Sequence, residues 1–199
     1  PRIGYLDGAL APLRGTKAMA FLPWAPDSYV VIDVPEAIFA GPKLLFLAHT
    51  HIPSIWDERN IIVPDRDWQR DGAALVSRWS FPDTLEFAMR IAPAEKQSLE
   101  LELSVTNKTN ERWTAMRSQV CLMLKRAQGF AAQTVDNKEF GKSVARVRSG
   151  QRAIAVEFPE CDRTWGNPNC PCLHSDPKLP DCAPGETVKV SGRVWFEGA

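Results

Sequence analysis

Sixteen of the 199 positions are proline, and they are spread along the whole chain. Each removes a backbone donor and fixes φ, so no long helix can run between them. What lies between the prolines reads as short extended segments. The clearest is Leu99-Glu100-Leu101-Glu102-Leu103-Ser104-Val105, where apolar and polar residues alternate. A period of two sends one face into a core and the other into water. Asn107-Lys108-Thr109-Asn110 then supplies the turn.

Further strands are predicted wherever β-branched and apolar runs meet a proline or glycine. Tyr29 to Val34 stops at Pro35, Leu44 to Ile52 stops at Pro53, and Asn60 to Val63 stops at Pro64. Ala73 to Phe81 and Leu85 to Ile91 flank the turn dipeptide Pro82-Asp83. Trp113 to Leu124, Ser143 to Arg148, Ala153 to Phe158 and Glu186 to Glu197 complete the set, the last broken by Gly192. Residues 1–28 read as irregular or extended with one short strand, and 159–185 as a long irregular loop. The expectation is an all-β fold: one antiparallel β-sandwich or jelly roll over residues 1–199, with roughly 9–11 strands and a long cysteine-rich loop. A loop of that length inside a compact domain is usually functional or covalently stapled.

The cysteines bear on compartment. Cys161, Cys170, Cys172 and Cys182 crowd the predicted loop, while Cys121 sits in the apolar run Val120 to Leu124. Two disulfides plus one core thiol is the simplest reading, and it points to a secreted or periplasmic protein. Metal ligation and free thiols are the alternatives. The chain begins at Pro1 with no charged-then-apolar export segment, so an export signal is either removed or absent. Asn107-Lys108-Thr109 also matches a glycosylation sequon.

Lys plus Arg is 24 and Asp plus Glu is 24, giving a formal net charge of zero. With no basic run beyond pairs, nucleic acid and anionic membrane are not expected partners. No apolar stretch approaches the ~18 residues a membrane helix needs.

The three histidines carry the strongest chemical signal. His49 and His51 stand two apart on a predicted strand, which puts both imidazoles on one face. His174 belongs to Cys170-Pro171-Cys172-Leu173-His174-Ser175-Asp176, where ligand-type side chains recur at every second position. Two metal sets follow: His49, His51 and His174, or Cys170, Cys172, His174 and Cys182. The cofactor would be a divalent ion, with zinc, copper and calcium equally compatible. Asp57 and Glu58 follow the histidine pair and would act as acid/base groups or orient an imidazole. Trp56, Arg59, Trp68, Trp165 and Asp176 are candidate sugar contacts, since indole faces stack on sugar rings and charged groups bind hydroxyls. No G-x-S-x-G, H-E-x-x-H, P-loop or G-x-G-x-x-G is present, so a serine hydrolase, zincin, kinase or dinucleotide enzyme is not expected.

Two resemblances add to this. The segment from Leu99 through Asn107-Lys-Thr to Trp113 resembles the strand-turn-strand of galactose-mutarotase-like β-sandwich proteins. That likeness implies a sugar-binding face built from histidines and carboxylates. Gly129 to Lys138, Trp165 to Pro177 and Pro184 to Thr187 resemble secreted proteins of environmental bacteria that carry no established activity. His49-Thr50-His51 is also similar to the cupin histidine pair, although Glu58 lies seven residues after His51 and no second cupin motif follows.

The sequence therefore points to a carbohydrate-active sandwich. It would be an enzyme, a glycan hydrolase or a sugar isomerase or epimerase, centred on His49, His51 and His174. A non-catalytic carbohydrate-binding module and a structural or interaction domain are the rival readings.

Overall fold

A computed structural model describes residues 2–5, 16–49 and 68–198. Fifteen strands are named among them: β1 Ile3–Tyr5, β2 Lys17–Leu22, β3 Ala25–Ala40, β4 Lys43–Leu47, β5 Gln69–Asp71, β6 Ala74–Phe81, β7 Leu85–Ala94, β8 Ser98–Asn107, β9 Met116–Met123, β10 Lys138–Phe140, β11 Val144–Ser149, β12 Arg152–Glu157, β13 Cys161–Trp165, β14 Cys172–Pro177 and β15 Thr187–Glu197. There are more of them than expected because the amino-terminal region forms both β1 and β2, the predicted 159–185 loop contains β13 and β14, and β5 and β10 are short edge strands. No helix among the described residues is long and apolar enough to cross a membrane.

The strands form two antiparallel sheets facing each other as a sandwich, not closed into a barrel. One sheet runs β1-β2-β3-β9-β14-β13, with β4 also on β3, and the other runs β10-β11-β12-β15-β8-β7-β6-β5. Leu99, Leu101, Leu103 and Val105 of β8 are all buried, as their alternation requires. The core between the sheets holds an aromatic group joining both layers. Phe46 of β4 packs on Phe87 of β7 with ring centroids 4.7 Å apart, and on Trp79 of β6 at 5.9 Å. Trp79 and Phe87 stack nearly parallel at 6.0 Å. Such pairs contribute about 0.5–1.5 kcal/mol each beyond area burial. β4 is thereby pinned to the opposite sheet, which fixes the chain just before His49.

The reading of 159–185 as one irregular loop is corrected. Its one Gly-Asn-Pro-Asn run falls in residues 166–171, which join β13 to β14. The flanking residues alternate, and β14 pairs with β9 through Cys172↔Met123, Leu173↔Leu122, His174↔Cys121 and Ser175↔Val120. The two-disulfide expectation is also corrected, because all five cysteines are free thiols. Cys161 on β13 points its sulfur at the Arg163 carbonyl, 3.0 Å away. Cys182 bridges Trp113, ten residues along the chain from the Met123 that faces Cys172. At ~3.3 Å per residue those two cysteines lie tens of ångströms apart.

The Asn107 turn has a structural role. Asn107 is fully buried. Its amide donates to the Glu111 carbonyl at 2.7 Å and the Cys182 carbonyl at 3.0 Å, while its Oδ1 accepts from Thr109 N at 2.9 Å. This buried Asx turn spends the side chain that a glycan would need. Gly192 marks a close approach: a Cβ there would stand 2.5 Å from the Glu157 carbonyl oxygen.

Asn107→Ala removes the two bonds its amide donates and the acceptor of Thr109, and is expected to cost about 1–3 kcal/mol in denaturant unfolding. A loss below about 0.5 kcal/mol would contradict the structural role.

Candidate functional site

The ladder registers align one row of side chains across five strands: Lys17↔Asp33, Asp33↔Cys121, Cys121↔His174 and His174↔Trp165. Residues directly opposite in a ladder share a face, so this row lies on one side of the sheet. The intervening residues Ile32, Val120, Leu122 and Leu173 belong to the hydrophobic core. The row is therefore on the sheet's other face, away from the core. A neighbouring row on that face carries Val31, Met123 and Cys172.

A bulge adds the central group. β3 pairs Asp33 with Cys121 and then Ala37 with Gln119, so residues 34–36 oppose Val120 alone. The Val34-Pro35 peptide bond within it is cis. The bulge falls where β2 stops pairing with β3 and β4 begins, since Asp33 faces Lys17 and Ala37 faces Leu47. Extra residues of this kind re-aim a side chain, and here the re-aimed side chain is Glu36. The Glu36 carbonyl also accepts from Ala48 N at 2.7 Å, which brings His49 alongside.

Glu36 is the junction of the site. Its Oε1 lies 2.8 Å from His49 Nε2 and its Oε2 lies 3.2 Å from His174 Nε2. Gln119 Nε2 donates to Oε2 at 2.5 Å. Burial would raise this carboxyl, but the bonds from His174, His49 and Gln119 outweigh it and hold it well below the usual carboxylate range. Glu36 is thus a buried carboxylate held between two imidazoles.

His174 is 4% exposed and works in two directions. Nε2 faces Glu36, and Nδ1 faces Cys172 Sγ at 3.6 Å. Burial pulls its pKa down, yet the bonds to Cys172 and Glu36 push it up to about 9. Cys172 is lowered, first by the Cys121 thiol beside it and then, against burial, by His174. Cys121 is correspondingly raised, as the partner that keeps its proton. Trp165 stacks on the His174 ring, with centroids 3.9 Å apart and planes 8° apart.

Two ion pairs flank this centre. Asp33 accepts from Thr16 Oγ1 at 2.6 Å and pairs with Lys17 at 2.8 Å. Asp176 accepts from Arg163 Nε at 2.6 Å and from Trp165 Nε1 at 3.0 Å. Among the described residues two donor groups could hold a metal ion: Cys121, Cys172 and His174, or Asp33, Glu36 and His49, each with its ligand atoms within 4.8 Å of one another.

The structure brings His49 and His174 to one carboxylate. β4 ends at Leu47, so His49 lies beyond the strand predicted to carry it. His51, Trp56, Asp57, Glu58 and Arg59 lie outside the described residues. Trp68 is 5% exposed and packs in the core, where it offers no open face for a sugar. Trp165 gives one face to His174, and Asp176 is buried against Arg163 and Trp165. Of the cysteine-rich metal set, Cys172 and His174 adjoin, Cys170 sits at the edge with its sulfur 3.7 Å from Met123 Sδ, and Cys182 is at the far end of the sheet. Glu36, Gln119 and Cys121 were not foreseen. The one sequence signal for Glu36 was a lone acid inside the otherwise apolar stretch 34–40.

The chain matches no protein-family model, and no curated protein matches it. Among solved structures it is similar to a polysaccharide lyase, at 13% identity and a TM-score of 0.45, covering 100% of this chain and 33% of that one. It is also similar to a protein described as a kojibiose phosphorylase from human microbiome, at 10% identity and a TM-score of 0.45, covering 98% of this chain and 25% of the other. This chain thus spans a third or less of either, and neither likeness carries an argument about its activity.

The free-thiol state is directly measurable. Thiol titration without reductant, in denaturant with chelator, is expected to find five equivalents. One equivalent would restore the two-disulfide reading. In the native protein Cys170, half-buried at the edge, is expected to react ahead of Cys182, which is fully buried and whose thiol burial pushes up.

Proposed function

We propose that this is a carbohydrate-active enzyme that moves a proton at the hemiacetal centre of a reducing sugar. The observation that carries the reading is a buried carboxylate, Glu36, held between two imidazoles, one of which reaches solvent. The His49 side chain is 27% exposed, against 5% for His174 and 9% for Glu36. His49 is the group a substrate can touch. Glu36 positions it, fixing the ring by its Nε2 bond and stabilising the imidazolium that forms.

In the proposed step His49 takes the proton of the anomeric hydroxyl. The bond from the anomeric carbon to the ring oxygen breaks, the carbonyl forms, and the ring oxygen receives a proton from the same imidazole. Reclosure reverses the transfers, so no proton is gained or lost. The sugar class draws support from the resemblance of the Leu99 to Trp113 segment to mutarotase-like sandwiches. Isomerisation is favoured over glycosidic cleavage because cleavage commonly needs two carboxyl groups about 5–10 Å apart, one acidic and one nucleophilic or basic. Among the described residues on this face, Asp33 is tied to Lys17 and Asp176 to Arg163, leaving Glu36 without a second working carboxyl.

Anomer interconversion of a panel of reducing sugars, followed by polarimetry or NMR, tests this. The protein is expected to accelerate exchange over buffer for at least one sugar. His49→Asn is expected to lower kcat by about 10²–10⁴-fold. Glu36→Gln is expected to lower kcat with little change in KM. No acceleration for any sugar, or full activity in H49N, would overturn the proposal.

A further inference from the structure

We propose that Cys121, Cys172 and His174 form a thiolate–imidazole metal site that takes zinc. The donors come from two adjacent strands in fixed register. Cys121 and His174 are directly paired, and Cys172 follows at the next position on the same face. Their ligand atoms lie within 4.8 Å of one another. The Cys172 Sγ to His174 Nδ1 separation is 3.6 Å. Zinc–sulfur and zinc–nitrogen bonds of about 2.3 and 2.0–2.1 Å at tetrahedral angles span an edge of roughly 3.6 Å. The Cys172–His174 pair therefore has the spacing a bound ion requires.

An independent feature supports the assignment. His174 presents Nδ1 to the thiols while Nε2 is held by Glu36. Ligating histidines commonly give their second nitrogen to a carboxylate, which fixes ring orientation and strengthens the donor. Gln119 in turn holds the carboxylate. Trp165 covers the other side of the ring, so the donor is locked by stacking as well. Cys170 stands at the outer side with its sulfur 3.7 Å from Met123 Sδ and within hydrogen-bonding reach of Cys172. It lies outside the three-donor group and marks the side from which an ion would enter. Thiolates and imidazole select zinc over magnesium and calcium, which prefer oxygen. Binding would release the thiol protons to solvent as the sulfur–metal bonds form.

The site shares Glu36 with the sugar reading but does not depend on that reading. Loss of activity in H49N with metal binding intact, or metal binding without any activity, tells the two apart. The test uses the full chain, purified without a His-tag under reductant, and titrated with cobalt(II) as the spectroscopic probe. About one equivalent is expected to produce thiolate-to-cobalt charge-transfer absorption, which zinc then displaces. Cys172→Ser and Cys121→Ser are expected to abolish it, while Cys161→Ser and Cys182→Ser retain it. Glu36→Gln is expected to weaken zinc binding about 10–100-fold. If C172S does not fold, Cys121→Ala, which leaves a small apolar side chain, gives the same reading. Absence of charge-transfer absorption in the wild type, its retention in C121A, or binding of cuprous ion without zinc or cobalt would overturn the proposal.

Discussion

The carboxylate of Glu36 is the constraint on which the rest of the site depends. Taking a charged carboxylate out of water costs several kcal/mol unless donors replace the lost hydration. Glu36 finds those donors on three other parts of the chain: Gln119 on β9, His174 on β14 and His49 just after β4. Removing any of them leaves the charge under-solvated, and removing Glu36 takes from both imidazoles the acceptor they share. The three-residue bulge in β3 exists at the one place where such a side chain can reach all three, between the end of β2 and the start of β4.

The rest of the face is arranged around that charge. A sandwich needs one face of each sheet for its core, and here the opposite face of the smaller sheet is buried as well. Polar groups there occur in closed pairs, Asp33 with Lys17 and Asp176 with Arg163. These pairs keep neighbouring carboxylates from competing with Glu36 for His49 and His174. Burial raises the Asp33 carboxyl, and Lys17 and Thr16 act against that rise. The thiols of Cys121 and Cys172 fill the remaining space with soft, weakly hydrated groups. The result is a gradient from dry sulfur at Cys172 through His174 and Glu36 to the part-exposed ring of His49.

The fold was legible because strand periodicity is local. Leu99 to Val105 declares both its secondary structure and its buried face, and the turn after it is written in Asn107 and Thr109. The i, i+2 spacing of Cys172, His174 and Asp176 likewise placed three side chains on one face, as β14 does. What could not be read was which strand lies beside which. Cys121 looked like an ordinary core thiol because its neighbours are apolar; only the β9–β14 register reveals that it faces His174. Glu36 depends on a bulge, a two-strand property with no signature in one strand. The disulfide reading failed for a related reason. Closeness in sequence does not give closeness in space: Cys172 pairs with Met123 on β9, whereas Cys182 bridges Trp113, ten residues away along the chain.

A double-mutant cycle between Glu36 and His174, using Glu36→Gln and His174→Asn in denaturant unfolding, measures the central interaction most directly. A buried charge shared between these groups predicts a coupling of about 1–3 kcal/mol between the two substitutions. Additivity within about 0.5 kcal/mol would show that Glu36 and His174 do not act as one unit, and would contradict a site built on that carboxylate.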